Sequence, residues 1–329
     1  MESSTPDLSF WGKMRKSSVD TLKPAFSVIR FLLVIMLPVS FAVLFLETSG
    51  ALYYFSVVTN PLMRFLGLPG EASLAFLSSV FINIYSAIAV IKTITLTGKQ
   101  LIILSTMCLI AHSFFVECLV MKKTGSRLLK MVVLRLLAAF FSGWVLYHLV
   151  PEHTGKSVVA VSGLVYMPRF GIEPARFVSS LLPWFRSSIV LVLQVSLIVF
   201  ALMFLQRILT EFDVMKKLAN LLAPLMGFFG LPAKTGYAWV IAYTVGVAYG
   251  AGVLLDEVKE GKLSKSEADL LNHHVAISHS QIEDTLLFVS IGVPYVWAAL
   301  PRFILAVVTV WFEKARRAFF RHSFRVKVV

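Results

Sequence analysis

The chain has 329 residues, 57% of them hydrophobic and 15% charged, with a mean hydropathy of +0.80. A soluble domain with that balance would have too few charges to cover its apolar surface, so the sequence reads as a polytopic membrane protein. The net charge of +13 does not point to nucleic acid, because the basic residues sit in short clusters between apolar spans and form no stripe interleaved with aromatics.

Residues 1–25 carry Lys13, Arg15 and Lys16 beside Phe10 and Trp11, and read as a cytoplasmic tail resting on the membrane surface. The apolar run 26–46 is too long for the core of a signal peptide and no small-residue cleavage site follows it, so it reads as a retained first membrane helix. Residues 48–69, with Tyr53, Tyr54 and Phe55, read as interfacial. Apolar stretches at 72–94, 101–121 and 131–150 complete a first membrane unit, 26–150. Residues 151–186 are expected to be an external linker. A second unit, 187–313, has apolar stretches at 187–209, 237–255, 271–294 and 295–312, with an amphipathic piece at 210–220 and a charged run at 256–269, of which 256–267 reads as a solvated cytoplasmic loop. The basic tail 314–329 closes the chain. Cys108 and Cys118 share one span and form no CxxC pair, which gives thiol redox or zinc chemistry little support.

The stretch 271–294 organises the rest. It is apolar enough to cross a bilayer, yet it carries Asn272, His273, His274, His279, Ser280, Gln281, Glu283 and Asp284. On an ideal helix at ~100° per residue, Asn272, His279 and Glu283 form one stripe and His273, Ser280 and Asp284 a second beside it. An ionisable group at the centre of a membrane helix costs ~2.5–3.5 kcal/mol, so this face requires a partner, a cavity or a ligand. His279 and Glu283 stand at i,i+4. One such pair favours a hydrogen-bonded histidine–carboxylate over a metal site, and no metal or other cofactor is expected. No catalytic set is seen: His279 and Ser280 are adjacent and would point apart on a helix. The protein is therefore not expected to be an enzyme.

A repeat links the two units. Pro61, Leu62, Met63, Phe65, Gly67, Leu68 and Pro69 recur as Pro224, Leu225, Met226, Phe228, Gly230, Leu231 and Pro232, at an offset of 163 (224 − 61). Farther on the offset becomes 167 (279 − 112): Ile110, His112 and Ser113 match Ile277, His279 and Ser280. Glu117 matches Asp284, Gly125 matches Gly292 and Arg135 matches Arg302 at the same offset. Arg135 and Arg302 are expected to neutralise Glu117 and Asp284; an anionic substrate group is the alternative partner.

The orientation of the copies turns on 72–94 and 237–255. As re-entrant hairpins they gather more of the Lys and Arg on the inner side than as full crossings, and the short loop 122–130 then obeys the positive-inside rule. The stretches Asn83-Ile84-Tyr85-Ser86 and Gly246-Val247-Ala248-Tyr249-Gly250-Ala251-Gly252 mark where a hairpin tip or helix break is expected, with Gly250 and Gly252 at the tip. The fold class expected is an all-α polytopic membrane protein of two internal repeats, inverted, each with a re-entrant helical hairpin and three crossing helices.

Gly-Leu-Pro ahead of a Gly- or Asn-bearing hairpin, then His279-Ser280-Gln281-Ile282-Glu283-Asp284-Thr285 and a following arginine, resembles the Gate (nucleoside-recognition) membrane domain family. That family includes spore maturation proteins A and B, with related domains in concentrative nucleoside transporters and ferrous-iron transporters of the B type. The resemblance implies paired hairpins with a pore or substrate site between repeats. No GxxxxGK[ST] occurs, so nucleotide-driven iron transport by this chain alone is not expected. The combined reading is a transporter or permease in the inner (plasma) membrane, both termini cytoplasmic, moving a small polar or ionic solute coupled to protons or sodium. Its expected partners are the solute, the lipid bilayer and a second copy or a related membrane protein. A non-transporting membrane scaffold is the alternative. The residues expected to line the site are Asn272, His279, Ser280, Glu283, Asp284, His112, Glu117, Asn83, Ser86, Tyr249 and Gly250.

Overall fold

In hydrocarbon every backbone N–H and C=O needs a partner inside the protein, and helices meet that demand segment by segment. The computed structural model describes residues 10–158, 171, 174–244 and 246–326; these are helical apart from turns, loops and one isolated bridge between Leu96 and Val158. In chain order the first helices are α1 (Phe10–Thr48), α2 (Ala51–Arg64), α3 (Ala72–Phe81), α4 (Ile84–Ile91), α5 (Gly98–Ile110), α6 (Phe114–Lys123) and α7 (Leu128–Leu149). Then come α8 (Pro174–Glu211), α9 (Val214–Leu222), α10 (Gly236–Thr244), α11 (Val247–Lys259), α12 (Lys265–Val275), α13 (Glu283–Val289) and α14 (Tyr295–Val326). Five segments are long and apolar enough to cross a bilayer: Ser18–Thr48, Gly98–Lys123, Leu128–Leu149, Phe177–Leu209 and Tyr295–Phe320.

Several boundaries differ from those read in the sequence. Helix starts at Phe10 and at Pro174, inside the stretches expected to be a tail and a linker, and α14 runs on through the C-terminal basic stretch. The larger correction concerns 101–121 and 271–294, each expected to be one helix. Both are interrupted, the first at 111–113 and the second at 276–282. Ser113 and Ser280 hold the same left-handed backbone at these interruptions, with φ of 49° and 45°.

The interruptions are satisfied by crossing a second pair of breaks. α3 and α4 pack against each other around Ile82 and Asn83, and α10 and α11 do so around Gly246. Ser113 N–H donates to Ser79 O (3.0 Å), Ser280 N–H to Ala242 O (3.1 Å) and Gln281 N–H to Tyr243 O (2.9 Å). Ser79, Ala242 and Tyr243 lie in the last turns of α3 and α10, where carbonyls have no intrahelical donor. Each break therefore supplies hydrogen-bond partners that the other lacks.

Asn83 makes the first tip by capping α4, its Oδ1 accepting from Ser86 N (2.9 Å) and Ser86 Oγ (3.1 Å). At the matching tip the residue that must be glycine is Gly246: its φ is 94°, and a Cβ there would come within 2.5 Å of Ser280 Oγ. Gly250 and Gly252, expected at the tip, lie inside α11.

α5 and α12 start alike. Thr97 with Gln100, and Ser264 with Glu267, each form a reciprocal capping box. The two interrupted segments nevertheless run antiparallel. Asn272 in α12 donates to Thr124 and Ser126, just beyond α6 (both 2.9 Å), while Gly292 beyond α13 accepts from Lys156 N (3.4 Å). Lys156 follows Gly155, which abuts Gly98 at the start of α5. α7 and α14 flank the pair, and α1 and α8 pack together to one side. Within Gly98–Lys123 the apolar window is 83% buried, against 33% or less in the other four spans. That segment is core, and its interruption holds the site.

Candidate functional site at the crossing of the interrupted helices

Each histidine is aimed by the helix it follows. His112 Nδ1 lies 3.1 Å from Cys108 O, and His279 Nδ1 lies 2.7 Å from Val275 O. A carbonyl only accepts, so both Nδ1 atoms carry a proton, and each ring in its neutral form presents a lone pair at Nε2. Those two Nε2 atoms face each other 3.2 Å apart. Glu117 Oε1 stands 3.1 Å from His112 Nε2 and 3.3 Å from His279 Nε2, and Asp284 Oδ2 stands 3.3 Å from His112 Nε2. All four residues are buried. Two lone pairs at that distance repel unless a positive centre lies between them, either a proton or a cation.

The arginines are fully buried beside this quartet and are used differently. Arg135 pairs with Glu117 Oε2 at 2.7 Å and donates from Nε to Ile110 O at 2.8 Å. Arg302 donates to His279 O (2.5 Å) and Thr285 Oγ1 (3.2 Å). The expected Arg135–Glu117 pair is present; in the second copy Arg302 holds backbone and hydroxyl, and the close partner of Asp284 is His112.

The structure thus brings His112, Glu117, His279 and Asp284 together. It places Ser280 at the crossing through its backbone. Glu283 lies apart from the quartet, 3.4 Å from Tyr85 Oη of α4. The i,i+4 relation to His279 is lost because α13 begins only at Glu283. Asn272 spends its amide on Met121 O, Thr124 and Ser126. Asn83 and Ser86 bond one another at the tip, the Tyr249 side chain lies outside the described residues, and Gly250 is helical.

Two features escaped the sequence reading. His274 is buried among Phe229, Trp239, Tyr243 and Phe303, and Trp239 Nε1 donates to its Nδ1 at 3.3 Å. Asp269, at the end of the charged run, bonds Ser126 Oγ (2.5 Å) and Arg317, while Glu313 meets Lys130, Arg316 and Arg317, each at 2.8 Å. The i+3 and i+4 spacing of Glu313 to Arg316 and Arg317 was the available signal.

Residues 29–127 match the family model described as Gate, nucleoside recognition. The match covers the N-terminal part of the fold, including His112 and Glu117, and His279 and Asp284 lie beyond it. The chain is also similar to YvoD of Bacillus subtilis (strain 168), described as an uncharacterized membrane protein: 27% identity over 266 residues, covering 81% of this chain and 83% of that protein. No solved structure matches.

Proposed function

We propose that the chain is a transporter of the Gate type, carrying a small polar or ionic solute across the inner membrane, coupled to proton movement at the site formed by His112, His279, Glu117 and Asp284. The observation that supports this reading most is the pair of Nε2 atoms 3.2 Å apart, one from each copy, with an acid from each copy beside them. Such a cluster holds or yields a positive charge, and it sits where two interrupted helices cross. Irregular backbone at membrane depth is tolerated where it is enclosed by protein or lines a pathway, and discontinuous helices at a repeat interface are how secondary transporters build midplane sites.

Inverted repeats with re-entrant hairpins account for the rest. At ~1.5 Å per residue α3 and α4 are each roughly half the ~30 Å hydrocarbon thickness, too short to cross singly. The contacts Lys234–Glu267, Lys130–Glu313 and Asp269–Arg317 gather the basic loops with the C-terminal half of α14. By the positive-inside rule that end is cytoplasmic. Single cysteines at Lys123 and Lys156 should label from opposite sides; labelling from the same side would sink the inverted arrangement.

The test of function is flux. Proteoliposomes containing a pH dye are offered nucleosides, organic acids and divalent cations under an imposed proton gradient. One class should move protons, and Glu117→Gln with Asp284→Asn should abolish the signal in a protein that still inserts. Unchanged solute movement and pH dependence in that variant would place the site elsewhere and favour a scaffold role for the quartet.

A further inference from the structure

We infer that the quartet is a binding site for a divalent first-row transition cation of the zinc type, held by His112 Nε2, His279 Nε2, Glu117 Oε1 and Asp284 Oδ2. This goes past the sequence expectation of no metal and deepens the transport reading by naming the ion class that its site takes. The geometry carries it. Ligand bonds of ~2.0–2.2 Å in a tetrahedron give edges of roughly 3.4 Å. Four of the six separations among these atoms, each involving a histidine nitrogen, are 3.1, 3.2, 3.3 and 3.3 Å. His112, His279 and Asp284 each offer a ligand atom within 4.8 Å of the others.

The surroundings are those of a metal site. Both imidazoles donate their other N–H to a backbone carbonyl, which fixes the tautomer that leaves Nε2 free to ligate. Glu117 is oriented through its outer oxygen by Arg135 at 2.7 Å, which turns Oε1 inward. Two imidazoles and two carboxylates suit zinc, cobalt or iron(II) and match neither copper(I), which seeks thiolate or thioether, nor calcium and magnesium, which seek oxygen alone. The second group of this kind, Asp269, His273 and Glu313, has its carboxylates engaged by Arg317, Arg316 and Lys130 and is an ion network. Because the ligands must be unprotonated, the cation and the shared proton compete for one place, and affinity falls as pH falls.

The test titrates Co2+ into purified, metal-stripped full-length protein in detergent. A tetrahedral visible absorption band should saturate at one equivalent and be displaced by Zn2+. His112→Gln with His279→Gln should abolish it, and His273→Gln should leave it unchanged. Should the double histidine variant fail to fold, Asp284→Asn with an unchanged melt should lower affinity at least ~10-fold. No band in the wild-type protein, a band that survives the double variant, or one lost in His273→Gln would overturn the proposal. Flux without a cobalt band overturns the metal site and leaves transport standing; a band without flux does the reverse.

Discussion

The two copies place the same residue types at the same offsets and then use them differently. In the first, Glu117 is long enough to reach Arg135 with one oxygen and His112 with the other. In the second, the acid is one methylene shorter. Asp284 meets His112 of the other copy, and Arg302 turns to His279 O and Thr285. One acid is therefore anchored to a permanent charge on its own copy, and the other answers to the site. The tips differ in the same spirit: Asn83 is extended and caps α4 with its side chain, whereas Gly246 takes a left-handed φ so that Ser280 can pack against it.

The comparison breaks first at the arginines. Arg135→Ala leaves the Glu117 carboxylate buried without its cation and should lower stability by about 3–5 kcal/mol. Arg302→Ala strands a carbonyl and a hydroxyl and should cost about 1–3 kcal/mol. Unfolding in mixed micelles measures both, and equal losses would mean that the two copies share one charge scheme. Next come the tips. Gly246→Ala forces a side chain into left-handed backbone against Ser280 and should cost about 1–3 kcal/mol. Asn83→Ala removes a cap and should cost about 1 kcal/mol. A thermally neutral Gly246→Ala would show that the tip relaxes freely.

The capping boxes sharpen the comparison at smaller scale. Thr97→Ala and Ser264→Ala should each cost about 1 kcal/mol, since the caps are built alike. They diverge with pH. Gln100 is neutral, whereas Glu267 is held down to about 2 by hydrogen bonds from Lys234 and then from the Ser264 side chain and N–H. A depressed acid stabilises the fold above its ordinary range and loses that effect as pH falls toward 2. The second cap alone should weaken across that window, by a small amount because Glu267 is largely solvated. Melting curves of wild type and Glu267→Gln from pH 6 to pH 3 check the sign: the wild type should lose its advantage over the variant as the pH drops.

Much of the chemistry was legible in one dimension. The matched histidines, acids and arginines stood out because a repeat written twice in an apolar chain shows in its polar letters. Which of them converge was not legible. The helical wheel grouped His279 with Glu283 and Asn272, since it assumed continuous helix. The interruption at 276–282 rotates His279 toward Glu117 and leaves Glu283 beside Tyr85. The stretch from Gly246 to Gly252 stood out as a place for a break, but which glycine the break needs was not legible: it is Gly246 and not Gly250 or Gly252, because need for glycine depends on what a Cβ would touch.

The sequence by itself determined that this is a helical membrane protein, where its apolar segments lie, and that ionisable residues recur inside them at a fixed offset. Those are properties of residue type and spacing, and hydropathy sums over residues regardless of backbone path. Only the tertiary structure decided that the polar segments break, that their free amides land on Ser79, Ala242 and Tyr243, and that two imidazoles meet at 3.2 Å. A break at membrane depth is stable only when another chain segment supplies its missing hydrogen bonds, and that depends on a neighbour many residues away.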